Sequence, residues 1–206
     1  MNATATATVA PVTADVRPDP TIGFRRRASA PALPLGIAFQ LAANVVYAVV
    51  STESGLSDTA TGAETLEFYG RYPGAFTVAT VLAMTGVLVL IPGLLAAARV
   101  VRPHRPRLGL WAVVLMLAGY VAYFGIVTTN FGTLALADAA AAHPEAGLDA
   151  IADASQPPAA LPFFLLFVVG NLIGTLLLGL AVLLSRGLPR WAGVFILGWP
   201  VGHALN

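Results

Sequence analysis

GAFTVATVLAMTGVLVLIPGLLAAA, residues 74–98, followed at once by RVVRPHRPR, residues 99–107, decides the class of this chain. The first segment is 25 residues without a formal charge. As a helix it is about 37 Å long, enough to cross the ~30 Å hydrocarbon core of a bilayer with some tilt. One aspartate, lysine or arginine at the centre of such a helix costs roughly 2.5–3.5 kcal/mol on insertion scales. None is present inside, yet four arginines (Arg99, Arg102, Arg105 and Arg107) crowd the nine positions that follow.

The same alternation extends in both directions. The uncharged stretch Ala28–Thr52 follows Arg25, Arg26 and Arg27 and predicts a helix over Leu33–Ser51. Leu108–Gly132 and Leu161–Ser185 predict two more spans of similar length. Trp191–Asn206 is 16 residues with Gly198, Pro200 and Gly202 inside it, about 24 Å as a helix, and predicts a short fifth span. The expected fold is an all-α integral membrane helical bundle over residues 28–206, with spans at about 33–51, 74–98, 108–132, 161–185 and 191–206. Residues 1–27 lack a periodic apolar face and read as a disordered cytoplasmic tail. A tribasic cluster ahead of an apolar run also resembles a secretory signal, but no small-x-small site follows, so the run is expected to remain as the first helix.

Composition excludes the soluble alternative. Of the 206 residues 57% are hydrophobic and 10% charged, against about a quarter charged in soluble domains. With no cysteine there is no disulfide, thiol nucleophile or cysteine-held metal.

All eleven basic residues are arginine. Arg25–Arg27, the loop Arg99–Arg107, and Arg186 with Arg190 must share one side if the spans alternate, and the positive-inside rule makes that side the cytoplasm of a plasma-membrane protein. The N-terminus is then inside and the C-terminus outside. Glu53, Asp58, Glu64, Glu67, Asp138, Glu145, Asp149 and Asp153 fall on the other side, where only Arg71 breaks the pattern. Trp111 and Trp191 lie just inside the arginine clusters, and Phe68, Tyr69, Tyr72 and Phe76 gather at the opposite end as aromatic belts. Two exterior surface helices are expected. Thr61 with Glu64 fits a capping box ahead of Leu66–Tyr69, with Gly70 as a stop. Pro144 opens a turn through Asp153 that lays Leu148, Ile151 and Ala152 on the membrane surface. The third span is expected to run past Gly132 into Leu134–Ala142, because nothing breaks the helix before Pro144.

With no charge inside the membrane, neutral polar side chains are the candidates for binding. Gln40, Asn44 and Tyr47 fall at i, i+4 and i+7 on one face of the first span. Tyr120, Tyr123 and Asn130 share a face of the third, and Thr77 and Thr80 a face of the second. Asn171 and Thr175 lie beside Gly170 and Gly174, a small-xxx-small pair that invites close helix approach. Gln40, Asn44, Tyr120, Tyr123 and Asn171 are the candidate ligand-binding residues if these faces converge on a pocket open to the exterior. The competing expectation is ordinary interhelical hydrogen bonding, averaging roughly 0.6 kcal/mol per bond.

Charged clusters are weaker candidates. Glu64 with Glu67, and Asp149 with Asp153, lack calcium-loop spacing. His203 reads as interfacial, and the basic loop with His104 is sufficiently explained by topogenesis. No G-x-S-x-G, H-E-x-x-H or Walker loop occurs, and the first four spans hold no carboxylate or histidine for a proton relay. No catalytic residue, metal or cofactor is therefore expected.

The C-terminal third carries a resemblance. Phe163-Phe164, Asn171–Gly174, Leu177–Gly179 and Ser185–Gly193 (SRGLPRWAG), with Ser57–Thr61 and Tyr72-Pro73 earlier, resemble a broad group of uncharacterised bacterial, actinobacterial-type multi-pass membrane proteins of a domain-of-unknown-function kind. In that group a Leu-Pro-Arg turn leads into a final helix that tends to run past the position of Asn206. The resemblance implies a membrane fold and no activity. The function expected is that of a non-enzymatic membrane protein binding membrane lipids, a membrane protein partner or a second copy, and not nucleic acid. The alternative is a small carrier or ligand-binding protein with an outward neutral polar pocket.

Overall fold

Pro73 and Pro106 stand at the starts of the two longest helices, where the missing N–H is not needed and the fixed φ favours the helix. A computed structural model describes residues 21–54, 60–155, 161–185 and 189–204. Its elements run α1 (Ile22–Ser29), α2 (Ala32–Ser54), α3 (Gly62–Arg71), α4 (Pro73–Val101), α5 (Pro106–Ala142), a 3-10 turn (Pro144–Ala146), α6 (Leu148–Ser155), α7 (Leu161–Leu183) and α8 (Arg190–Ala204), with no strand among the described residues. Four helical stretches are long and apolar enough to cross a membrane: the one that ends in α2, then α4, α5 and α7. The fold is the all-α bundle that the charge-free segments predict.

The limits of the elements follow local chemistry. α5 continues to Ala142, 37 residues or about 55 Å. It stops where the residue before a proline is pushed out of the helical region, and His143 has φ −137°. After the 3-10 turn, Gly147 takes φ +62°, a left-handed conformation that glycine adopts without steric cost. Pro144 thus opens only this turn, and α6 restarts at Leu148. α3 runs through Gly70 to Arg71, so Gly70 is no stop; the proline at position 73 ends the helix instead. Ile22–Ser29 is helical, although the tail was expected to be unstructured to residue 27; residues 1–20 lie outside the described residues. α8 is 15 residues, about 22 Å, shorter than the ~30 Å hydrocarbon core.

Packing follows chain order: α2 lies on α4, α4 on α5, α5 on α7 and α7 on α8. Glycine permits the closest approach. A Cβ on Gly170 would come 2.6 Å from the Leu115 carbonyl oxygen, and one on Gly174 would come 2.9 Å from the Met116 nitrogen. The expected small-xxx-small contact is therefore the α5–α7 seam. Gly93 plays the same part on α4, where a Cβ would sit 2.6 Å from the Leu33 nitrogen. Around these contacts Leu94, Val101, Ala112, Val113, Met116, Leu178, Ala181 and Val182 form the main apolar core. That core lies near the loop of Arg102, Arg105 and Arg107, the arginine end; α3 and α6 cap the opposite, acidic end.

Candidate functional site at the acidic end

The short helix α3 is the piece that organises this end. Thr61 caps it: the Glu64 N–H donates to the Thr61 hydroxyl at 3.3 Å, and the Glu64 carboxylate accepts from the Thr61 N–H at 2.7 Å and from its hydroxyl at 2.9 Å. These bonds, the backbone one foremost, hold the Glu64 carboxyl below its ordinary range. Arg71, the arginine among the acidic residues of this end, pairs with Glu67 one turn back, both exposed. Phe68 is buried and meets Phe76 of α4 edge-on at 5.0 Å between ring centroids, while Tyr69 stacks on Phe76 at 3.9 Å.

Beneath that aromatic layer lies a polar node joining four helices. The Asn130 amide of α5 donates to the Tyr47 hydroxyl of α2 at 2.6 Å and to the Thr80 hydroxyl of α4 at 3.2 Å. The Tyr69 hydroxyl of α3 donates to the Asn130 carbonyl oxygen at 3.1 Å. Tyr47 and Thr80 hydroxyls are 3.3 Å apart. Burial, with Tyr47 nearby as the second cause, pushes the Tyr69 phenol up to about 12, so it remains a neutral donor. Asn130 thereby uses both sides of its carboxamide, and no buried side-chain nitrogen or oxygen lacks a partner among the described residues.

Above the node, α3, the end of α5 and α6 enclose a half-open groove of about 650 Å³. Its floor includes Leu66 and Ala137; its rim carries Glu67, Arg71, His143 and Asp149. Ala152 of α6 is buried with Leu66 and Ala137. α6 therefore leans on α3, with Ala152 turned inward and Ile151 exposed, whereas both were expected on one membrane-facing surface. The apolar surface of α3 captures the smaller residue.

The five candidate binding residues are divided between the α2–α4 seam, the helices around α5 and α7, and the outer surface of α2. Gln40 is buried and donates to the Ala83 carbonyl across the α2–α4 seam at 2.8 Å. Tyr123 stacks on Phe167 of α7 at 4.5 Å. Asn171 donates to the Phe167 carbonyl of its own helix at 3.2 Å, and Tyr120 packs against the main apolar core. Asn44 is exposed on the outside of α2. A step of four residues rotates a helix by about 40°, which carries Asn44 off the buried stripe that holds Gln40 and Tyr47. Among the described residues no three histidine, aspartate or glutamate side chains converge as a metal set.

The residues that do converge are Tyr47, Tyr69, Thr80 and Asn130. A depth argument finds two of them. Tyr47 lies seven residues before the end of α2 at Ser54, and Thr80 seven after the start of α4 at Pro73, so both hydroxyls sit about 10 Å from the same end. No family model, curated protein or solved structure matches this chain.

Proposed function

We propose that the protein is a non-enzymatic integral protein of the plasma membrane that binds a lipid at its acidic end. The arginine loops and N-terminus lie in the cytoplasm, following the positive-inside rule, and α8 carries the C-terminus to the outside. The observation behind this function is the groove between α3, α5 and α6. Its volume of about 650 Å³ suits a small amphiphile. An apolar floor meets a rim of both charge signs, Arg71 beside Glu67 and Asp149, with the His143 imidazole next to them, which matches a zwitterionic head group on an apolar stem. The groove opens beside the ends of the spanning helices, where lipid head groups are found. A carrier with a neutral polar pocket has less support, because Gln40 is engaged on the α2–α4 seam while Tyr123 and Asn171 are engaged at Phe167 on the α5–α7 seam.

Thermal unfolding of the protein in mild detergent, titrated with short-chain phosphatidylethanolamine, tests this. Ligand that binds only the folded state raises the midpoint with saturation. Ala141→Trp, at an exposed position lining the groove, is expected to abolish the rise while keeping the unliganded midpoint. No rise, or the same rise in Ala141→Trp, ends the proposal.

A further inference from the structure

α2 carries two parallel seams. The inner one is Gly36, Gln40, Ala43, Tyr47 and Val50. It meets α4 residue by residue: Gly36 at Leu90, Gln40 at Ala83, Tyr47 at Thr80 and Val50 beside Phe76. One residue further on, about 100° round the helix, Ile37, Leu41, Asn44, Ala48 and Ser51 repeat the same alternation of four and three, and all of them are exposed. That alternation is the 3.5-residue period with which two helices lie side by side along their length.

Asn44 is the anomaly in the outer seam. It adjoins Ala43, the midpoint of α2 (Ala32–Ser54), so its amide lies at the deepest level of the helix. The amides of Gln40, Asn130 and Asn171 all have partners within the chain; that of Asn44 has none among the described residues. At this depth lipid offers no hydrogen bond, and an asparagine at one seam position fixes the register and number of paired helices.

We infer that the outer seam is covered by α2 of a second copy of this chain, in a parallel two-fold pair whose two Asn44 amides bond to each other. Copies inserted in the same direction hold each residue at the same depth, and a two-fold axis sets a residue against its own twin. A carboxamide has both donor and acceptor, so it satisfies its twin without any further group. A different protein would need a polar group at that same level; a second copy supplies it by symmetry. Ala48 next along the seam lets the backbones approach. The inference rests on α2 crossing the membrane, as proposed above, and not on the groove.

The chain has no cysteine, which makes cross-linking direct. In vesicles at low protein-to-lipid ratio, Leu41→Cys and Ala48→Cys are expected to oxidise to disulfide dimers, while Val81→Cys, on an exposed face of α4, does not. Energy transfer between labelled copies should show dimers in the parent chain, a dissociation constant raised about tenfold in Asn44→Leu, and recovery in Asn44→Gln. Asn44 is on the surface of the protomer, so these variants fold. Equal cross-linking at Val81→Cys, an unchanged dimer fraction in Asn44→Leu, or a different protein cross-linked at the seam overturns the inference. Seam cysteines that react with a membrane-impermeant maleimide would remove α2 from the membrane and sink the functional proposal too. Protected cysteines that fail to cross-link sink only the dimer.

Discussion

The Asn130 amide donates to the Tyr47 hydroxyl at 2.6 Å across 83 positions of sequence. With Thr80 and Tyr69 it makes one carboxamide the junction of α2, α3, α4 and α5. Replacing Asn130 with leucine removes three bonds, takes away the acceptor of the Tyr69 hydroxyl and leaves the Tyr47 and Thr80 hydroxyls only each other. We expect unfolding in bicelles to show a loss of about 2–3 kcal/mol for Asn130→Leu and about 0.6 kcal/mol for Tyr69→Phe. A double-mutant cycle of the two should show coupling; strict additivity would mean the node is inert.

The α5–α7 seam makes the opposite kind of prediction, steric rather than polar. Gly170 faces backbone, with a Cβ 2.6 Å from the Leu115 carbonyl oxygen, whereas a Cβ on Gly125 meets nothing within 4 Å. Gly170→Val is expected to push the helices apart and cost about 1–3 kcal/mol. Gly125→Ala should be neutral or stabilise by up to about 1 kcal/mol, from reduced chain freedom before folding. Parallel unfolding curves distinguish them, and equal effects would contradict the packing described.

Acid should loosen α3. The Glu64 carboxyl is held below its ordinary value of 4.5 by its bonds from Thr61. A carboxyl depressed on folding contributes stability above that ordinary value and loses it as pH falls through the lower, folded-state one. The thermal midpoint of the parent chain should therefore drop below about pH 4.5. Glu64→Gln should start lower at neutral pH and stay flatter through the acid window. Identical acid profiles for the two chains would show that the cap does not stabilise α3.

Sidedness has its own measurement. Glu145→Cys, in the 3-10 turn of the acidic end, should react with impermeant maleimide in intact cells. His104→Cys, in the arginine loop between α4 and α5, should react only after the membrane is opened. The reverse result would invert the proposed orientation.

What the chain reveals in advance is governed by range. The charge-free segments place the second and third spans within two residues of the observed starts of α4 and α5 at Pro73 and Pro106, and the length of α5 follows from the absence of a breaker before Pro144, because helix limits are local chemistry. The α3 cap was legible for the same reason. Which seam a polar residue joins was not. Gln40, Asn44 and Tyr47 share a broad face on a wheel, but α4 covers only the stripe through Gln40 and Tyr47 and leaves Asn44 outside. Tyr69 reads as interfacial because its ring is; its hydroxyl matters only once Asn130 is beneath it. Depth counting from the helix ends would have matched Tyr47 with Thr80, whereas the arrival of Asn130 depends on how α5 crosses α4.

The long uncharged interiors of α2, α4, α5 and α7 have an electrical consequence. A membrane potential does work on charge, about 2.3 kcal/mol per unit charge carried through 100 mV. The residues from 73 to 98 and from 161 to 183 carry no formal charge, and the node at Asn130 is neutral. Energising or discharging the membrane therefore leaves the balance of forces within this bundle nearly untouched. Across those segments a voltage finds no charged side chain by which to turn a helix.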